Sequence, residues 1–465
     1  MNMINVRRLT VMTFLGAGML SGISAQVSPL QVDTLKETKI PDQWDLQSCI
    51  DYAKEQNITI RKNRITAVST QIDVKTAKAA MFPSLSFSTG QQVVNRPYQE
   101  TSSRVSGSEI ISSNSKTSYN GNYGLNASWT LYNGNKRLKT IQQEKLNNQM
   151  AELDVATSEN NIQESITQVY IQILYAAESV KVNENTLQVS IAQRDRGQEL
   201  LNAGSIAKSD FAQLEAQVST DRYQLVTAQA TLEDYKLQLK QLLELDGENE
   251  MNIYLPALSD ENVLAPLPTK RDVYISALSL RPEIEASKLN VEASELGINI
   301  AKSSYFPTIS LSAGIGTNHT SGSDFTFGEQ VKNGWNNSIG LSVSVPIFNN
   351  RQTKSAVQKA KLQYETSMLS LLDEQKALYK TIESLWLDAN SAQQRYAAAN
   401  EKLKSTQISY ELISEQFNLG MKNTVELLTE KNNLLQAQQE QLQAKYMAIL
   451  NTQLLKFYQG DKLAL

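Results

Sequence analysis

The sequence predicts a mainly α-helical protein that also carries a transmembrane β-barrel. It is a tandem repeat of long coiled-coil helices plus four strands per chain. Three observations point there. Proline vanishes from two long stretches, four short segments alternate with a period of two, and the two halves of the chain repeat the same motifs in the same order.

Proline is absent between Tyr98 and Leu255 and again from Arg351 to Leu465, where glycine stands only at 420 and 460. Proline breaks helices, so these are the stretches where long helices fit. Lys136 to Ala203 would make roughly 100 Å of helix at 1.5 Å per residue. Arg351 to Leu419 is almost as long. Helices of that length need continuous lateral packing. From Phe211, apolar residues recur at Leu214, Val218, Leu225, Ala228, Leu232, Tyr235, Leu239 and Leu242. This is a coiled-coil seam, interrupted by Asp221. The last helix carries Leu427/Leu428, Leu434/Leu435, Leu442 and Ala448/Ile449. Two adjacent seams imply neighbours on both sides, as in a helical sheet or tube. The other faces are rich in Gln, Asn, Ser, Thr and charge, which suits a solvated exterior or a wet lumen.

The strands follow another rhythm. Leu85 and Phe87 alternate with Ser84, Ser86 and Ser88. Tyr119, Gly121, Tyr123, Leu125, Ala127, Trp129 and Leu131 oppose Asn120, Asn122, Gly124, Asn126, Ser128 and Thr130. Ile309, Leu311, Ala313 and Ile315 oppose small residues, as do Ile339, Leu341, Val343 and Val345. Long strands, apolar on one face and small and polar on the other, are the pattern of a membrane-spanning barrel. A half-buried antiparallel sheet in a soluble domain is the alternative. Strands are expected at about 84–95, 118–132, 308–317 and 337–346. Polar segments join them in pairs, from Arg96 to Lys116 and from Asn318 to Asn336.

The repeat is explicit. Ala77 to Ser86 reads AKAAMFPSLS and Ala301 to Ser310 reads AKSSYFPTIS. Leu131-Tyr132-Asn133-Gly134 corresponds to Ile347-Phe348-Asn349-Asn350, and the turn at Gly204 to that at Gly420, at the same distance in sequence. Such self-similarity marks a repeated supersecondary unit. Residues 26–245 form the first repeat, 246–271 a proline-marked connector, and 272–465 the second repeat. Residues 1–25 read as an export signal: Arg7 and Arg8, an apolar run from Leu9 to Leu20, and a small-residue site at Ser24-Ala25.

Composition narrows the chemistry. The 465 residues include one His and one Cys, too few for a multi-ligand zinc site, an iron–sulfur cluster or a disulfide framework. His319 sits among Gly, Ser, Thr and Asn, and Cys49 reads as a packed helix residue. A net charge of −4 offers no basic footprint for nucleic acid. No nucleophile–base pair or phosphate-cradling loop is evident, so we expect no enzyme and no cofactor.

Four strands do not close a barrel, and open edges in lipid are prohibitive. Closure therefore needs oligomerisation: two chains give eight strands and three give twelve. The mature chain resembles the TolC-type outer-membrane efflux family. The marks are the Phe82-Pro83 and Phe306-Pro307 junctions, strands closing on Tyr132-Asn133-Gly134 and Phe348-Asn349, and two Gly-led helix turns. The resemblance implies a homotrimer with a twelve-stranded barrel in the outer-membrane lipid and an α-helical tunnel across the periplasm, its connector at the equator. It further implies a periplasmic adaptor and an inner-membrane pump as partners, and a passive exit duct for efflux or type I secretion. A secreted pore-forming or coiled-coil structural protein is the alternative.

The resemblance also places the two Gly turns at the periplasmic tip. Gly204, Ser205, Ile206, Gly420 and Met421 would meet the adaptor. Glu426 matches an acidic position ringing the entrance, and Asp210 and Ser209 match polar positions that hold the tip closed. Lys422 and Phe417 stand at partner positions. A second family acid, one helical turn past Glu426, is replaced by Thr429, with Glu430 beside it. Three copies of Glu426 near an axis would raise one another's pKa and attract multivalent cations. A purely structural role is also written there, since Asn423-x-x-Glu426 is a capping-box pattern.

Overall fold

The computed structural model describes residues 41–98, 102–106, 109–113, 116–246, 251–256, 263–321, 323 and 325–463. The export signal lies outside the described residues. Two short helices, α1 (Leu46–Gln56) and α2 (Ile58–Ala79), lead into β1 (Ser84–Asn95). A small hairpin, β2 (Ser102–Ser106) and β3 (Glu109–Ser113), precedes β4 (Thr117–Asn133). Then come the first long helix α3 (Lys136–Asn202) and its partner α4 (Lys208–Leu242). The second half runs α5 (Lys270–Leu280), α6 (Pro282–Ser303), β5 (Thr308–Thr320), α7 (Phe327–Asn333), β6 (Asn336–Ser344), α8 (Gln352–Asn418) and α9 (Thr424–Gln459).

The repeat is tighter than the motifs alone indicate. The helices α1 and α5 have 11 residues each, α2 and α6 have 22, and α3 and α8 have 67. The return helices α4 and α9 have 35 and 36. At 1.5 Å per residue, α3 and α8 each run about 100 Å. Local chemistry starts the short helices. Asp45 accepts the Ser48 N–H at 2.7 Å, Asn57 that of Thr59 at 2.9 Å, and Thr269 that of Asp272 at 3.2 Å. Proline at the first position of α6 supplies the fixed φ a helix start tolerates. The connector is pinned to the start of the fold: Trp44 pairs with the strand-like stretch around Ile253, and Tyr170 Oη donates to the Tyr254 carbonyl at 2.6 Å.

The main core lies where α1, α3, α4, α8 and α9 meet, around Trp44, Ile50, Tyr170, Leu174, Leu239, Tyr396 and Ile449. Cys49 is fully buried there, and burial pushes its thiol up to about 12, which keeps it un-ionised. A second cluster joins α5, α6, α8 and α9 through Val273, Ile284, Ile382 and Leu455. No helix among the described residues is long and apolar enough to cross a membrane.

The sheet is antiparallel in the order β1-β4-β5-β6, so β1 and β6 are its free edges. Its register sorts the side chains as alternation predicts. Phe87, Leu125, Ile315 and Asn337 lie in one row, and Leu85, Ala127, Ala313 and Ile339 in the next, all on one face. Apart from Val94, the opposite face carries Ser, Asn, Gly, Thr and Gln at the paired positions, without one ionisable side chain. The apolar face is bare within the chain: Phe87 is 67% exposed, Leu341 65% and Ile339 83%.

Three details depart from the sequence reading. A β-bulge between Thr130 and Tyr132 sets Tyr132 opposite Ile309, so Leu131 is the extra residue and leaves the apolar set. The Arg96–Lys116 segment contains the hairpin β2–β3, and the Asn318–Asn336 segment contains α7. Finally, β6 stops at Ser344, before Pro346, which lacks the N–H a ladder needs.

Candidate functional site

Each long helix ends in the same turn. Gly204 and Gly420 adopt left-handed φ values of +71° and +74°. The next N–H reaches back five residues: Ser205 to the Leu200 carbonyl at 2.8 Å and Met421 to that of Gln416 at 2.8 Å. This closes the exposed helix end as a Schellman motif. No atom lies within 4 Å of where a Cβ would sit at either glycine. Backbone conformation, rather than space within the chain, is what calls for glycine there.

The second turn starts α9 with the full capping box the spacing predicts. Asn423 Oδ1 accepts the Glu426 N–H at 2.9 Å, and Glu426 Oε2 accepts the Asn423 N–H at 3.2 Å. Lys422 Nζ donates to Glu426 Oε1 at 2.5 Å. The ammonium and the Asn423 N–H hold the Glu426 carboxyl below its usual range. The first turn makes half a box, because Ala207 has no side-chain acceptor. Asp210 accepts only the Ala207 N–H, at 3.3 Å. Ser209, Gly204, Ser205, Gly420 and Met421 are exposed and Ile206 is half-buried. Phe417 is 3% exposed, so within the chain it packs inside the tip, while its neighbour Leu419 is 75% exposed.

Sequence reasoning missed the strongest electrostatic feature of this region. Asp221 of α4, Lys431 of α9 and Ser190 of α3 meet in one buried cluster; Asp221 is 2% exposed and Lys431 3%. Lys431 donates to both Asp221 and Ser190, and Ser190 donates to the same carboxylate. Gln217 Nε2 reaches the other Asp221 oxygen at 2.9 Å. The cluster ties the first hairpin to the second, roughly 20 Å from the Gly204 turn along α4. Gln193 Nε2, bonded to Tyr410 Oη at 2.8 Å, joins the hairpins again one turn away. Burial pushes the Lys431 ammonium below the ordinary lysine range, and the Asp221 partner offsets part of that cost. The signal was in the sequence. Asp221 interrupts one apolar seam, and Lys431 falls between Leu427 and Leu434 on the other.

Comparison with known proteins matches this architecture. The family profile described as outer membrane efflux protein covers residues 49–244 and 273–460, one block per repeat. The chain belongs to the outer membrane efflux protein family. It is 24% identical to the outer membrane efflux protein BepC of Brucella suis biovar 1 (strain 1330), over 64% of this chain and 62% of that one. It is also 24% identical to the outer membrane protein TolC of Escherichia coli (strain K12), over 61% of this chain and 58% of TolC. The matched region thus spans about three fifths of these relatives' lengths. The fold is that of the crystal structure of CusC, with a TM-score of 0.76 at 18% identity over 90% of this chain and 92% of CusC. The protein is an outer-membrane protein, and its helices follow the periplasmic-tunnel architecture of this family.

Proposed function

We propose that the chain is one protomer of a homotrimeric exit duct in a tripartite efflux or type I secretion system. One observation carries this reading: a four-stranded sheet with two free edges and a bare apolar face stands on two helical hairpins of matching length. Pairing β1 of one copy with β6 of the next removes every edge and turns the apolar face toward lipid. Three copies make a twelve-stranded barrel. The uncharged face then lines its lumen, so the barrel segment passes cargo without sorting it by charge.

The tips are the proposed contact with a periplasmic adaptor and, through it, an inner-membrane pump. Gly204, Ser205, Ile206, Gly420 and Met421 supply the docking turns. Glu426 with Lys422, and Asp210 with Ser209, supply the polar gate, while buried Phe417 holds the second tip together. Opening the tunnel requires the hairpins to move, and the Asp221–Lys431–Ser190 cluster restrains the first against the second. Family membership leaves the secreted structural alternative without support. Reconstitution in a planar bilayer tests the duct, which should give stepwise ion conductance. In-cell crosslinking from Ser205 and Met421 should capture a periplasmic protein in adaptor-sized adducts. A silent bilayer and no adduct would contradict the proposal.

A further inference from the structure

The outer end of the sheet carries an unexpected arrangement. His319 pairs with Gly121 across β5 and β4, and its ring lies over the bare Gly121 α-carbon. Around it stand Tyr119, Tyr123 and Phe327, with ring centroids 5.2, 6.0 and 5.1 Å away. Phe327 opens α7. That short helix is fastened to β5 twice more: Thr317 Oγ1 donates to the Val331 carbonyl at 2.7 Å, and the Thr320 N–H to Gln330 Oε1 at 2.8 Å.

Register decides which side of the sheet α7 occupies. Thr317 and His319 continue the set Ile309, Leu311, Ala313, Ile315, which is the apolar face, while Asn318 and Thr320 continue the small polar one. The helix therefore packs on the outside of the sheet, away from the lumen face. Trp335 belongs to the same outward set, one residue beyond Asn336 at the start of β6, and is 57% exposed. Phe325 and Phe327 are also exposed. Tyr119 Oη ends the cluster in a polar contact, donating to Gln91 Oε1 at 2.5 Å. Aromatic bodies with polar tips suit the boundary between hydrocarbon and head groups. The span fits as well. Tyr119 and Trp129, the aromatic residues near the two ends of β4, are about 33 Å apart along the strand. At the usual strand tilt this is about 25 Å of membrane height, the height of a barrel's apolar band.

We propose that α7 and its aromatic neighbours form a lipid-binding anchor, seated in the head-group and upper acyl region of the outer leaflet. The partner is the lipid surface itself, because the exposed aromatics stand on the same outward face of the sheet as the barrel's apolar residues, at its outer end. The proposal rests on the outer-membrane barrel reading. It assigns this inter-strand segment to holding the barrel at its depth in the membrane, rather than covering the pore mouth.

Tryptophan fluorescence in lipid nanodiscs separates the two. The chain has four tryptophans: Trp44 and Trp386 sit among the helices, and Trp129 is on the outward face of β4. The variants Trp335→Phe and Trp129→Phe each leave the other outward indole in place, so comparison with the unaltered protein isolates both. Nanodiscs made with phospholipid brominated near the head-group end of its acyl chains should quench Trp335. Aqueous iodide should not, and Trp335→Phe should remove roughly half of the lipid-quenchable emission. If Trp129 is quenched by bromolipid while Trp335 is quenched only by iodide, the anchor is overturned and the barrel stands. If neither is quenched by bromolipid, the barrel reading falls and takes the anchor with it.

Discussion

Two charge pairs near the tips behave differently because one is buried and the other is wet. Asp221 and Lys431 are sealed between helices, so removing either leaves an uncompensated charge. Such breaks cost about 3–5 kcal/mol, whereas replacing both partners with apolar residues is often neutral. Asp221→Leu or Lys431→Met alone should lower the local opening free energy of the α4 and α9 amides by about that amount. The joint variant should recover most of it. Hydrogen exchange measures both, and simple addition of the two losses would mean the residues are not coupled. The pair at the second tip, by contrast, would set the entrance charge of the proposed duct. Each Glu426 arrives with its own Lys422, so the expected acidic ring is largely neutralised within each protomer. Lys422→Met should therefore strengthen cation preference and multivalent-cation block in single-channel recordings. Adding Glu426→Gln should abolish the gain while leaving the helix cap, since Gln also completes a capping box. If Lys422→Met changes nothing, Glu426 serves only as a cap. Acid removes the Glu426 charge, as Glu426→Gln does. The carboxyl is held below its ordinary value, so its contribution to the helix start is present at neutral pH and is lost as pH falls through the depressed value.

At the scale of elements, the sequence revealed what repeats and missed what pairs at a distance. Long helices follow from missing proline, the tips from Gly204 and Gly420, and the strands from a period of two. All of these are local signals, and all four strands and four long helices formed where expected, with ends shifted by a few residues. The Thr130–Tyr132 bulge was not legible, because a bulge depends on the partner strand rather than on the bulged residues. The hairpin β2–β3 and α7 were hidden in segments whose Ser, Gly and Asn content reads as loop. Asp221 was visible as an interruption, but its partner lies in a different repeat. The glycine turns give the test at this scale. Gly420→Ala meets no atom in the chain and carries only left-handed strain, about 1–2 kcal/mol. Trimers of this variant should form and export, with a slightly lower dissociation temperature. Gly420→Trp should keep trimers in the outer membrane yet abolish export, since within the chain its bulk meets nothing and it would clash only with the proposed adaptor. Loss of the trimer instead would assign the glycine to folding alone.

For the whole molecule, the argument turns on what one chain leaves unfinished. Its sheet ends at two unpaired edges, and Leu85, Phe87, Ile339, Leu341 and Val343 cover an outward face that nothing in the chain shields. A bare apolar surface of that kind marks a membrane or partner interface. The long helices repeat the problem in the periplasm, where each apolar stripe needs lateral neighbours along about 100 Å. A trimer answers both needs at once by pairing β1 with β6 of the next copy and closing the hairpins into a tube. Native mass spectrometry of the protein extracted from outer membranes in mild detergent tests this most directly. The account predicts a single species at three times the mature chain mass, stable when detergent is diluted; a stable monomer would contradict it.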